Sequence, residues 1–328
     1  MSHMDHAFVA LRRAVNPTDL ASRSLWRNSQ AIVTDWAVIA IAITCLSRAP
    51  LWVHPVLLLI IASRQHALLV LMHDASHYML CKDKGRNDLL SDLFCAFPFC
   101  LTTRAYRVNH LAHHAQLNTP QDPDLVRKAA KPEEWTFPQP ISAVLLLLLK
   151  DLLGLSLIDI LKNISRLSGH REPVKSEYRY SGVIQAVYLL ALIGILALTG
   201  HFCFFIYAWL VPLFFFLPPI LRLRSIAEHF ALPHEHKLNE SRSIQVSWWE
   251  ALLLCPHNVG RHLEHHLFPY VPWYRLEELN ERLSNDPSYR GQANQNRGLL
   301  FGDCSVVQDM RRVKDNIVPL LIGADLLE

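Results

Sequence analysis

The sequence predicts an all-α protein in which a bundle of four apolar helices crosses a membrane and a helical cap lies outside it. Of its 328 residues, 51% are hydrophobic, which is high for a soluble domain. Four apolar runs each approach the roughly 20 residues that cover the hydrocarbon core of a bilayer. Three clusters of histidine lie beyond the ends of these runs. The runs predict the bundle, and the clusters indicate that the chemistry belongs to the cap.

The four predicted spans are joined in pairs by short turns. They cover residues 31–47, 51–72, 183–199 and 202–221. The turns after Arg48 and around Gly200 carry almost no Lys or Arg. Basic residues are frequent before the first span, in the 82–86 loop and just after the fourth span. The positive-inside rule therefore places these basic segments in the cytosol.

This topology predicts a single membrane-bound domain over residues 1–328. Its cytosolic parts are an N-terminal segment, residues 1–30, and a cap made of residues 73–180 and 222–328. All three histidine clusters then face the cytoplasm.

Two further apolar stretches are predicted not to cross. Residues 89–101 are too few for a span, and Lys150 and Asp151 interrupt residues 141–160. If either stretch crossed, the histidine clusters would lie on opposite faces of the membrane. The first is therefore predicted to be re-entrant or interfacial, and the second an amphipathic helix along the interface.

The histidine clusters have the spacing of metal ligands on helices. They are His73 and His77 in HDASH, His110, His113 and His114 in HLAHH, and His262, His265 and His266 in HLEHH. Spacings of three and four residues put the imidazoles of a cluster on one helix face. Neutral imidazole binds zinc, copper, iron and nickel. With His229 in SIAEHF there are nine candidates, too many for one four-coordinate metal, so the sequence predicts a two-metal centre.

Other classes of protein fit less well. A zinc hydrolase of the H-E-x-x-H type needs a carboxylate between its histidines; His110 and His113 enclose none, although Glu264 leaves the third cluster ambiguous. A metal-ion transporter, the remote alternative, places ligands near the bilayer midplane on broken helices. The seven scattered cysteines indicate reduced thiols. A net charge of +3 without a basic block argues against nucleic acid as a partner.

Several polar residues are candidates to support the metal centre. An imidazole ligand usually donates its second N–H to a carboxylate or carbonyl. The candidate acceptors are Asp74, Asp122, Asp124, Glu228 and Glu264. For Asp74 and Glu228 a plain solvated carboxylate is an equally good interpretation. His234, His236 and His257 are interpreted as non-ligands.

The second span contains polar residues at mid-depth, where such groups are costly and usually face a cavity or the bundle interior. Gln65 and His66 are the candidates for lining a substrate cavity. Helical rise places His66 roughly 10 Å from His73 and on nearly the same face. A hydrogen-bonded packing histidine is the alternative interpretation.

The three boxes, HxxxH, HxxHH and HxxHH, resemble those of the membrane fatty acid desaturase and hydroxylase superfamily. The segments HLAHHAQLNTPQDPDL and PHNVGRHLEHHLFP are similar to the family patterns, and the resemblance covers roughly residues 55–280. It implies a four-span bundle, a cytosolic cap and a non-haem centre of two iron ions. It also implies O2-dependent attack on an unactivated C–H bond, with two electrons from a redox partner.

The resemblance also implies which residues bind the metals. The ligands would be the eight box histidines together with His229, since EHF resembles the EHY of alkane hydroxylases. Some desaturases use an asparagine as a weak ligand through water. Asn258 is the matching residue here, and we expect it beside the ligands rather than on a metal.

The expected reaction is desaturation of a fatty acyl chain carried by a lipid, coenzyme A or an acyl carrier. Hydroxylation or ketolation of a lipid, alkane or carotenoid is the alternative within the superfamily. No HPGG, Rieske or G-x-G-x-x-G motif occurs, so an external donor of the ferredoxin or cytochrome b5 type is expected. Four basic residues could face such a donor or an acyl-carrier phosphate, or form a solvated face: Arg104, Arg107, Lys128 and Lys131.

Overall fold

The structure is a computed structural model that describes residues 3–169 and 181–314, and these are mostly helical. The helices are α1 His3–Val15, α2 Leu25–Leu46, α3 His54–Ser76, α4 Lys84–Ser91, α5 Thr103–Ala115, α6 Pro123–Ala129, α7 Pro132–Trp135, α8 Ile141–Leu152, α9 Leu157–Gly169, α10 Ser181–Thr199, α11 Phe202–Phe205, α12 Leu217–His229, α13 Trp248–Leu253, α14 His262–Leu267, α15 Leu276–Leu283, α16 Pro287–Gln292 and α17 Val306–Arg312. The predicted helical fold is confirmed.

Within the described part of the chain, two short strands add to the helices. They are β1, Arg242–Gln245, and β2, Asn294–Arg297, which pair in parallel with Arg242 opposite Asn294. The pattern of residues in these two segments does not predict them.

The chain divides into two compact units. Among the described residues, the first unit comprises 3–22, 110–147 and 222–314, and the second comprises 23–109, 148–169 and 181–221. The first unit has a core of leucines from α14 and α15, including Leu263, Leu267 and Leu279. The second has a core that joins α2 to α3, including Ala42 and Ile61.

Among the residues that the structure describes, four helices are long and apolar enough to cross a membrane, which confirms that prediction. They are Leu25–Leu46, Leu51–Ser76, Ser181–Thr199 and Phe202–His229. The first begins six residues earlier than predicted because the Ser24 side chain accepts a hydrogen bond from the backbone N–H of Arg27 and caps the helix.

The fourth apolar helix extends beyond the predicted end at residue 221. Its middle consists of π-helical turns, Ile206–Leu210 and Pro212–Phe216, and α12 follows directly. Pro218 and Pro219 occupy the first turn of α12, where a missing N–H removes no bond within that helix. The two prolines therefore do not end the helix, and His229 becomes its last residue.

The two shorter apolar stretches are broken. Residues 89–101 contain the end of α4, a π-helical turn at Asp92–Ala96 and a left-handed Cys100, and no span candidate. α8 and α9 meet at an angle of 72°. Gly154 has a φ of +74° at this bend, and a Cβ there would lie 2.6 Å from the Phe215 ring. The interfacial position of residues 141–160 stays a prediction.

A polar layer lies inside the second unit, on α3. Arg64 pairs with Asp35 of α2 at 3.1 Å and also donates to the Ser63 hydroxyl at 2.9 Å. Gln65 donates from Nε2 to the Trp209 carbonyl at 3.0 Å, and His66 is fully buried. The interior position expected for Gln65 and His66 is therefore observed, and their contact with substrate stays a prediction.

The Asp35–Arg64 pair provides a test of this layer. We expect Asp35→Leu to lower the free energy of unfolding by about 3–5 kcal/mol, because the buried Arg64 guanidinium loses its carboxylate partner. The double variant Asp35→Leu/Arg64→Met should recover most of that loss, since no isolated charge is left. Unfolding in mixed detergent micelles measures both. Equal losses in the single and double variants would contradict the assignment.

Candidate metal centre

Seven histidines of the first unit form two groups. The four-histidine group consists of His113, His229, His262 and His266, and its ring nitrogens all lie within 4.8 Å of one another. The three-histidine group consists of His110, His114 and His265, whose ring nitrogens obey the same limit. Among the described residues of this unit, the two groups bring together every histidine predicted as a ligand there.

Three helices supply these groups. α5 carries the second box and α14 carries the third, and each of these helices contributes to both groups. α12 contributes His229, to the four-histidine group only. The spacing of three and four residues places the imidazoles of one box along one side of a helix, from which they reach both groups.

The first box lies in the second unit. His73 is in the last turn of α3 and His77 is its C-terminal cap residue, with ring centroids 5.8 Å apart. Burial, together with the nearby Arg107 charge, lowers the pKa of His77 to about 4. The ring is therefore neutral at pH 7, the form that binds a metal. Asp74 is buried beside it, and its carbonyl accepts from the backbone N–H of Met79 at 3.2 Å.

The Nε2 atoms of the first unit converge at the separations found between ligands of one metal. In the four-histidine group, His229 Nε2 lies 3.3 Å from His113 Nε2 and 3.0 Å from His262 Nε2. In the three-histidine group, His114 Nε2 lies 3.0 Å from His110 Nε2 and 3.1 Å from His265 Nε2. Metal–nitrogen bonds of about 2.1 Å place neighbouring ligand atoms about 3.0–3.4 Å apart.

The opposite ring nitrogens face hydrogen-bond acceptors. His113 Nδ1 lies 2.9 and 3.0 Å from the two Asp122 carboxylate oxygens. His229 Nδ1 lies 3.4 Å from the Glu240 carbonyl, and His262 Nδ1 lies 3.4 Å from the Glu228 carboxylate. An imidazole that donates its Nδ1–H to such an acceptor presents a lone pair at Nε2, which is the tautomer that binds a metal.

This tautomer decides what the four-histidine group can bind. Three lone pairs that face one another at 3.0–3.3 Å repel unless a cation lies between them. A cation converts all of them into bonds, and the Nδ1 partners are those that orient metal-bound histidines. Burial and the neighbouring rings of His114 and His262 hold the pKa of His266 well below its usual value, so that ring is neutral too. The residues present therefore fit a metal ion.

Asp122 is held in place by the loop that follows α5. It caps α6 by accepting from the backbone N–H groups of Asp124 and Leu125, and it also accepts from the N–H of Asn118. Asn118, in the left-handed region with φ of +59°, donates from its side chain to the Glu240 carbonyl at 3.1 Å. Asn118 thereby connects the acceptors of His113 and His229. Asn118 was not among the residues predicted from the sequence, although an asparagine is a usual residue at a left-handed turn.

The other predicted supporting residues contact different partners. Burial alone would raise the pKa of Asp124, but Arg127 and Lys128 hold it well below its usual range. Asn258 donates to the Trp273 carbonyl at 3.1 Å.

Glu264 contacts three side chains of the first unit. It accepts from Ser243 at 2.6 Å, from Asn280 at 2.5 Å and from Tyr289 at 2.8 Å. Of the predicted supporting residues in the first unit, Asp122 and Glu228 are the ones seen beside an imidazole.

Sequence comparison now decides the family. The family model described as fatty acid desaturase matches residues 50–293, which include all nine predicted ligands. The chain belongs to the fatty acid desaturase family. The resemblance found in its histidine boxes is thus confirmed.

Two proteins similar to this desaturase-family chain indicate the class of reaction. It is 28% identical over 302 residues to the dihydrorhizobitoxine desaturase of Bradyrhizobium elkanii, covering 85% of this chain and 83% of that protein. It is 28% identical over 220 residues to a beta-carotene ketolase of a Paracoccus species, covering 64% of this chain and 72% of that protein. Family and relatives together indicate an oxidoreductase of the desaturase and hydroxylase type.

Asp122 allows a test of the tautomer argument. We expect Asp122→Asn to weaken metal binding by about 10–100-fold, because the amide removes the charge that fixes the proton on His113 Nδ1. Titration of metal-free protein with Co²⁺ measures the change. Asp286→Asn is the matched control, since Asp286 caps α16 through Ser288 and Tyr289 in the same manner. Equal effects of the two substitutions would contradict the argument.

Proposed function

We propose that this protein is an integral membrane desaturase that introduces a double bond into a fatty acyl chain with O2 as co-substrate. The observation that carries the proposal is the convergence of seven imidazoles in two groups, with three of the four Nδ1 atoms in the four-histidine group facing acceptors. Two bound iron ions would supply the activation of O2. The match to the desaturase family and the desaturase from Bradyrhizobium elkanii support it.

The proposal assigns a role to each group of residues. The four-histidine group would hold one iron, and the three-histidine group would hold the other. His73 and His77 are proposed as further ligands because their box, HDASH, matches the first family motif. Asp122 and Glu228 would hold the imidazoles in the tautomer that binds metal.

The sequence of the chain suggests the class of substrate and the source of electrons. An acyl chain bound to a lipid, coenzyme A or acyl carrier suits the apolar helices, with Gln65 and His66 lining its cavity. Electrons would come from an external ferredoxin or cytochrome b5 type donor. The histidine boxes are proposed to face the cytoplasm, as the distribution of Lys and Arg indicates.

A ketolase or hydroxylase acting on a lipid or carotenoid is the second candidate. The similarity to the beta-carotene ketolase favours it. The same ligands serve either reaction, and the products differ: desaturation removes two hydrogens, whereas ketolation adds oxygen.

Product analysis tests the proposal directly. We expect cells that express the protein with a donor to contain acyl chains lighter by two hydrogens, and His113→Ala to abolish them, because His113 is a proposed ligand. His201→Ala, at an exposed turn between α10 and α11, is the control and should retain activity. Mass spectrometry of extracted lipids measures all three. Products that contain new oxygen would favour the ketolase, and unchanged products in His113→Ala would refute the metal assignment.

Metal removal tests the cofactor. We expect about two iron ions per chain in the purified protein, since nine imidazoles exceed the coordination of one metal. Chelation should abolish product formation, and Fe²⁺ should restore it where Zn²⁺ does not, because zinc has no redox chemistry. Stoichiometric zinc in an active protein would contradict the proposal.

A further inference from the structure

Strand β1 connects two of the helices that carry metal-binding histidines. Successive side chains of a strand point in opposite directions. Arg242 reaches the end of α12, and Ser243 contacts side chains of α14. The backbone N–H of Ile244 donates to the Gly260 carbonyl at 2.8 Å, two residues before α14 begins. Three consecutive residues of β1 therefore contact the end of α12 and the first part of α14.

Arg242 is fully buried and holds the C-terminus of α12. Its guanidinium donates to four backbone carbonyls, those of Ile226 at 3.1 Å, Ala227 at 3.2 Å, Phe230 at 2.7 Å and Ala231 at 2.6 Å. It also lies 3.3 Å from the Asp309 carboxylate. The last carbonyls of a helix have no partner within the helix, and a positive charge there is favourable.

This contact fixes His229 in particular. His229 is the last residue of α12, and the four carbonyls bound by Arg242 lie on both sides of it in sequence. A planar guanidinium offers five N–H groups in fixed directions, whereas the lysine ammonium offers three from one point. Nη1 of Arg242 reaches three of these carbonyls and Nη2 reaches the fourth, whereas a lysine ammonium has no second nitrogen with which to span them.

The α14 side of the strand is held by a separate network. The Ser243 hydroxyl donates to Glu264 at 2.6 Å and accepts from Arg261 at 2.9 Å. Tyr289 and Asn280 donate to the same carboxylate oxygen of Glu264. This network orients α14, whose histidines belong to both groups.

We propose that Arg242 is a positioning residue for one of the two metals only, the one held by the four-histidine group. The reason is the distribution of ligands: α12 supplies His229 to that group alone, whereas α5 and α14 supply both groups. The proposal rests on the proposed function in that it requires two bound metals. Loss of Arg242 removes the support of His229 and leaves the three-histidine group intact.

The test counts metals and does not rely on activity. In Arg242→Lys we expect the protein to retain about one metal ion per chain instead of about two. In a titration, the metal affinity of the affected site should fall by about 10–100-fold, and the affinity of the other site should stay unchanged. Metal-free protein is titrated with Co²⁺ and with Fe²⁺, and folding is checked by thermal unfolding. Arg297→Lys, an exposed position on the paired strand β2, is the matched control and should bind both metals.

Two further variants separate positioning from a merely structural role. His229→Ala and Arg242→Lys should not be additive, because both act on the same site. Tyr289→Phe, on the α14 network, should weaken both sites together.

Each result has one meaning. Wild-type protein that binds fewer than two metals refutes the proposed function. Wild-type protein with two metals, and Arg242→Lys with two of unchanged affinity, refutes the role of Arg242. Parallel loss of both metals in Arg242→Lys also refutes it, because that pattern shows a general loss of structure.

Discussion

The candidate metal centre depends on where each imidazole carries its proton. A buried neutral histidine has one protonated and one bare nitrogen, and the fold decides which is which. In the four-histidine group Asp122, Glu228 and the Glu240 carbonyl lie at the outer nitrogens, so the bare nitrogens point at one another. That arrangement is unfavourable in an empty protein and favourable around a cation. The rest of the first unit serves to keep those acceptors and rings in place.

The helix that carries the third box is too short to hold its position alone. α14 has six residues, far below the length at which a helix is stable in water. Its stability comes from outside: Leu263 and Leu267 enter the core of the first unit, and Glu264 binds Ser243, Asn280 and Tyr289. The face opposite the histidines therefore supplies the rigidity that the ligands need.

Much of this arrangement could be predicted from sequence, because it rests on local periodicity. The four apolar runs and the histidine spacings read directly as helices and helix faces. The extension of α12 to His229 could not be read, because the effect of Pro218 and Pro219 depends on the π-helical turns before them. β1 was missed because four residues, RSIQ, give no alternation, and because Arg242 is buried only by contacts made in the folded chain.

Two imidazoles of the four-histidine group have a carboxylate behind the ring. A carboxylate behind a ring fixes the orientation of a metal-binding imidazole, and Asp122 and Glu228 lie behind the rings of His113 and His262. Asp122 also caps α6, and Glu228 accepts from Arg224 at 2.6 Å. Neither carboxylate can turn onto a metal without breaking these bonds, which keeps the donors of this group all imidazole.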